Sequence, residues 1–268
     1  MSHARAGRAL RIVRWTRLLA HLWAALFILR FVFPRASRAR RRALHGWWSR
    51  KLVRVLGLEA RIEGPLPAAS AIGAMVVANH VSWLDVFLVS SVWPTRFIAK
   101  SEVRDWPVAG WIAERAGTLF VRRARRHDTG RINEMVHIAL SQGDCVGLFP
   151  EATTTMGDRL LKFHSSLFEP VVANDANVHP VAIRYEHADG SLCRAMAFDD
   201  LSFMQSLSLV ARQRRIVARV TFGEPLGAKG LTRREVAQIA QARVASLLGL
   251  PASGSEPRTP PGLPGESP

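Results

Sequence analysis

From Leu58 onward, short apolar runs of strand length alternate with amphipathic stretches of helical length, and this alternation limits the fold more than any other feature. MVVAN at 75–79, RFIAK at 96–100, TLFVR at 118–122 and CVGLFP at 145–150 read as strands, as do VHPVAIRY at 178–185 and RIVARVTFG at 215–223. Helical stretches fall between them at 83–92, 107–117, 129–143 and 165–174, with a last one at 232–249. Pro107 stands at a helix-starting position, Thr232 at a cap, and Gly117, Gly143 and Gly249 at helix ends. Strand alternating with helix predicts one α/β domain with a largely parallel central sheet flanked by helices, at 58–250. There is no internal repeat, and the Pro/Gly/Ser-rich tail at 251–268 reads as disordered.

Residues 1–57 have a different character. The apolar run at 18–33 is shorter than the roughly 20 residues a membrane span requires, and His21 and Arg30 interrupt it. No small-residue cleavage site follows, as a signal peptide would need; Pro34 and a basic cluster do. Both flanks are basic, with Arg5, Arg8, Arg11, Arg14 and Arg17 before the run and Arg35, Arg38, Arg40, Arg41 and Arg42 after it. Equal flanks set no orientation across a bilayer, but they suit a helical hairpin dipping into one anionic leaflet. Trp47 and Trp48 and the alternating Arg50, Lys51 and Arg54 fit the same arrangement. The alternative is a buried pair of core helices with solvated arginines.

The formal net charge of +16 implies an anionic partner. The basic residues gather beside an apolar run, no recognition-helix motif is present, and there is a single tyrosine. An anionic membrane is therefore the expected partner rather than nucleic acid. Cys145 and Cys193 fit no metal spacing and read as core thiols in a reducing compartment. No HExxH or other metal-ligand cluster appears, and GEPLGAKG at 223–230 fails as a phosphate loop because Ala228 replaces its second glycine.

ANHVSWLD at 78–85 is the candidate site. His80 would follow a strand end, where α/β folds place their ligand crevice. Residues five apart do not meet on a helix, but they meet if His80 lies in the turn before a helix that Asp85 opens. The carboxylate would then fix one ring nitrogen as N–H and leave the other as a base.

Three further blocks follow in order: GTLFVRR at 117–123, FPEATTT at 149–155 and VHPVAIR at 178–184. Together the four blocks resemble the glycerolipid acyltransferase family, typified by 1-acylglycerol-3-phosphate acyltransferases, over roughly residues 53–248. The resemblance implies a membrane-bound enzyme on the cytoplasmic face of the inner membrane. It would move a fatty acyl group from coenzyme A or acyl carrier protein to a lysolipid hydroxyl, with no cofactor beyond that thioester donor. The first acceptor implied is 1-acylglycerol-3-phosphate; lyso-ornithine lipid or another lysolipid is the alternative. His80 would be the general base and Asp85 its orienter. Arg123, Glu151, Thr153 and Lys100 are the candidate acceptor-binding residues, and Pro180 is expected to shape an acyl-pocket wall. Ala152 stands where the family usually has glycine, and Thr154 where many members have arginine.

Overall fold

The computed structural model describes residues 6–68, 71–106, 108–121, 127–198 and 201–251. In chain order the elements are α1 (Arg8–Phe27), α2 (Arg38–Val55), β1 (Leu58–Glu63), β2 (Met75–Ala78), α3 (Asp85–Val92), β3 (Arg96–Lys100), α4 (Ala109–Arg115) and β4 (Leu119–Val121). Then come α5 (His127–Ser141), β5 (Val146–Leu148), α6 (Glu169–Ala173), β6 (Asn177–Glu186), α7 (Phe203–Arg212), β7 (Ile216–Phe222), β8 (Leu226–Gly227) and α8 (Arg233–Leu248). The strands form one sheet in the order β1-β7-β6-β2-β5-β3-β4, with β8 beside β6. Only β6 with β7 and β6 with β8 are antiparallel, so the sheet is largely parallel, as the alternation predicts.

Every residue of β2 is buried, because helices cover both faces of the sheet. Val76 and Ala78 pack into the layer containing α3 and α7, while Met75 and Val77 face the layer of α5, α6 and α8. Three elements escape the sequence reading: β1, α7 and the two-residue β8. In β1, Leu58, Ala60 and Ile62 alternate, and the strand pairs with β7 at the sheet edge. α7 opens on a capping box, in which Ser202 accepts from the Gln205 N–H and the Gln205 side chain accepts from the Ser202 N–H.

The N-terminal hairpin packs one face on the protein, as a core helix pair would, and leaves the other face open. α1 continues through a π turn (Ile28–Val32) and a tighter turn (Phe33–Arg35), giving 28 helical residues, long and apolar enough to cross a membrane. One stripe, Arg14, Leu18, His21, Ala25 and Leu29, is buried against the rest of the chain. The opposite stripe leaves Ile12, Leu19, Trp23, Phe27 and Phe31 exposed, with Trp23 at 72%. A helix with one face held by protein and the other apolar and open suits an interface better than a free span.

The arginines divide in the same way. Arg14 is buried and donates to the carbonyls of Ala211 (3.1 Å), Arg214 (2.9 Å) and Gln213 at the C-terminal end of α7. Arg38 and Arg42 donate to the Gln142 and Gly143 carbonyls just past α5. Arg50 donates to the Ser91 carbonyl in the last turn of α3. Helix C-termini carry unpaired carbonyls and partial negative charge, and these four cations satisfy them. Arg8, Arg17, Arg30 and Arg40 remain exposed.

α2 also contributes Leu52, Val53 and Val55 to the main core, as does Leu56 just after it. At about 1.5–3 kcal/mol each, these four side chains represent much of a typical stability of about 5–15 kcal/mol. A chain starting at Leu58 is therefore expected to aggregate, not to become a soluble enzyme. The informative variant is Trp23→Asp/Phe27→Asp/Phe31→Asp on the open face. It should keep the wild-type circular dichroism spectrum and melting temperature, and sedimentation with anionic vesicles should show partition reduced at least about 100-fold. Unchanged partition would exclude this face as the membrane contact.

Candidate active site

Parallel pairing of β2 with β5 builds the site. Val77 lies opposite Leu148. Three residues further along both chains, just past the strand ends, His80 and Glu151 come side by side. One Glu151 oxygen accepts from the His80 N–H at 2.8 Å, and the other accepts from the Leu161 N–H at 2.8 Å. Burial pushes the Glu151 carboxyl up to about 7, against the opposing pull of those two donors. On the other side, the Asn79 amide donates to the Ile183 carbonyl (2.9 Å) and accepts from the Ile183 N–H (2.8 Å), extending the β2–β6 ladder by one side chain. The His80 backbone is thus fixed from both flanks.

Asp85 opens α3, with His80 in the turn before it, and the two side chains meet. The His80 Nδ1 lies 2.8 Å from Asp85 Oδ2, which also accepts the backbone N–H groups of Val81 (2.8 Å) and Ser82 (2.9 Å). Asp85 Oδ1 accepts the Tyr185 hydroxyl at 2.6 Å. The carboxylate is wholly buried, and four donors replace the water it has lost. Burial, reinforced by the Asp85 charge, pushes the Tyr185 hydroxyl well above its ordinary value, so it remains a donor. The Phe149 ring stacks on the imidazole, with centroids 3.9 Å apart and planes 9° apart. Nδ1 carries its proton toward Asp85, so in the neutral ring Nε2 holds the free lone pair.

His80 lines a cavity of about 1080 Å³ whose walls come mainly from α1, α2, α3, β3, α4 and α7. Lys100 and Thr153 line the same cavity and are exposed. Glu151 is not among the lining residues, and both its oxygens are engaged in bracing. Arg123 lies outside the described residues. Pro180 is not in the cavity wall either. It lies within β6, where a Cβ on Gly223 would come 3.1 Å from its ring. Thr154 donates its hydroxyl to the Phe198 carbonyl at 2.6 Å. Among the described residues, no group of three or more His, Cys, Asp or Glu side chains could hold a metal ion.

Sequence reasoning missed Tyr185. Its period-two relation to Val181 and Ile183 marks it as facing the α3 layer, but the 100 residues separating it from Asp85 conceal the contact.

Residues 59–184 match the family described as Acyltransferase. Over 204 residues the chain is 37% identical to the lyso-ornithine lipid O-acyltransferase of Pseudomonas aeruginosa, covering 76% of this chain and 78% of that protein. The chain belongs to the acyltransferase family. This acyltransferase is also 34% identical to the 1-acyl-sn-glycerol-3-phosphate acyltransferase of Neisseria meningitidis, over 83% of this chain and 86% of that protein. Its fold matches the crystal structure of the 1-acyl-sn-glycerophosphate acyltransferase from Thermotoga maritima with a TM-score of 0.70 at 20% identity, covering 90% and 94% of the two chains.

The glycine that the resemblance implies at position 152 has a physical reason. Ala152 has φ of 61°, in the left-handed region where a Cβ is strained. Ala152→Gly is expected to stabilise the acyltransferase by about 1 kcal/mol, raising its melting temperature by about 2–4 °C. A lower melting temperature would show that the methyl group contributes packing that outweighs the strain.

Proposed function

We propose that this acyltransferase takes an acyl group from a thioester and places it on a lysolipid hydroxyl, with His80 as general base. The observation that carries this reading is the free Nε2 edge of an imidazole, fixed by Asp85 and Phe149, at the wall of a large apolar cavity. The lysolipid hydroxyl attacks the thioester carbonyl while Nε2 takes its proton. The new C–O bond forms, the C–S bond breaks, and the proton passes to the departing sulfur as a free thiol. A thioester is already activated, so general-base help of about 10²–10⁴-fold is a sufficient contribution from His80.

The membrane enters through α1. Leu18, Leu22, Ala25 and Leu29 line the cavity, while Trp23 and Phe27 on the same helix are exposed. One helix diameter, about 10 Å, then separates the bilayer surface from the cavity. The donor, acyl-CoA or acyl carrier protein, is cytosolic, so the open apolar face rests on the cytoplasmic leaflet of the inner membrane.

The first acceptor reading is 1-acylglycerol-3-phosphate, with Lys100 and Thr153 offering a cation and a hydroxyl to its phosphate. Lyso-ornithine lipid is the second. It is favoured by Thr154, which stands where the family resemblance implies arginine and turns its hydroxyl onto the Phe198 carbonyl. A mass-spectrometric assay offering both acceptors with one acyl-CoA should yield an O-acylated product from at least one. Absence of any acylated lysolipid, with either a coenzyme A or an acyl carrier protein donor, would overturn the reading.

A further inference from the structure

One polar group in the cavity has no use in this chemistry. His45, on α2, lines the cavity together with Leu44, Trp48 and Leu52 of its own helix and with Ala25 and Leu29 of the hairpin's first helix. Among the described residues its ring has no hydrogen bond, ion pair or ring contact. Its neighbours differ in this respect. His21 is stacked on Trp48, with centroids 4.7 Å apart, and its Nε2 lies 3.2 Å from the Trp48 carbonyl. Thr95 donates its hydroxyl to the Trp93 carbonyl at 2.6 Å. Burial pushes the His45 imidazole down to about 4, so the ring is neutral, with one N–H to donate and one lone pair to accept. The residue is half-buried and its ring nitrogens remain open to the cavity, so a bound chain made only of methylene groups would displace water from both and leave them unpaired, at a cost.

The proposed reaction supplies the occupant. The acceptor's own chain can stay in the bilayer, but the donor's chain comes from water and needs an enclosed apolar site. A hydroxyl both donates and accepts, and so complements a neutral imidazole. We propose that His45 recognises a hydroxyl carried on the donor's acyl chain, which makes hydroxylated fatty acyl thioesters the preferred donors. The inference rests on the reading that the cavity holds the donor chain.

The test is competition between an unsubstituted acyl-CoA and a set of equal-length isomers bearing one hydroxyl at successive carbons. Wild-type enzyme should prefer one isomer over the unsubstituted chain. His45→Leu should lower that preference, as the ratio of the two kcat/KM values, at least about 5-fold. His45→Phe serves as a second apolar replacement should the leucine variant fold poorly. Preference ratios equal in wild type and variants would overturn the role of His45. Leu29→Trp, which narrows the same cavity, separates this from failure of the underlying reading. If Leu29→Trp shortens the acyl chains accepted while His45→Leu leaves the ratio unchanged, only the hydroxyl inference falls. If Leu29→Trp leaves the chain-length profile unchanged, the cavity does not hold the donor chain, and both readings fall.

Discussion

Replacing His80 by alanine is expected to lower turnover at least about 100-fold while the protein stays folded. The second half of that expectation follows from the hydrogen bonds around Asp85. Without the imidazole, its buried carboxylate still accepts from Val81, Ser82 and Tyr185, so no unpaired charge is left inside. Phe149 loses one stacking partner but keeps the other, Phe97, at 5.2 Å. Glu151 binds the His80 backbone, which the substitution does not touch. Loss of activity with an unchanged melting temperature is therefore the signature of the base, and circular dichroism beside a thiol-release assay reads both. A folded variant with near wild-type turnover would remove His80 from the chemistry.

Asp85→Asn should produce a different pattern, losing activity and stability together. An amide has one acceptor oxygen and one NH₂ group where four donors now converge on two oxygens. At least one donor then faces the NH₂, at a cost of about 1–3 kcal/mol for the unsatisfied buried group. Nδ1 is no longer held as N–H, so the ring can present the wrong tautomer to substrate, and turnover should fall by about 10²–10⁴-fold. Tyr185→Phe is the graded control. It removes one donor, leaves the carboxylate charged, and should reduce turnover by less than Asp85→Asn does. Equal losses in the two variants would mean that the tyrosine hydroxyl, and not the charge, sets the imidazole.

How much of this was legible in the sequence depended on the range of the interaction. The helix before Gly249, the buried β2 and the His80–Asp85 pair rest on spacings of a few residues, and periodicity and capping expose them. The second layer of the site does not work that way. Tyr185 reaches Asp85, Asn79 reaches Ile183, and Glu151 reaches His80 only because β2, β5 and β6 pair in one register. Registers are set by the whole core. β1 stayed hidden because it is an edge strand whose outward residues are charged. Glu59 there pairs with Arg215, and Glu63 with Arg219. The arginines of the hairpin were legible as charge but not as caps, since the carbonyls they meet lie 41 to 200 residues away.

The proposed transfer is direct: the lysolipid hydroxyl, deprotonated at His80 Nε2, attacks the thioester itself. Rapid-quench mixing of stoichiometric enzyme with acyl-CoA, with and without a lysolipid mixture, tests it most directly. Direct transfer requires thiol to appear only when both substrates are present, in step with acylated lipid and with no acyl group on the protein. One equivalent of thiol released without acceptor, together with an acylated enzyme, would contradict it.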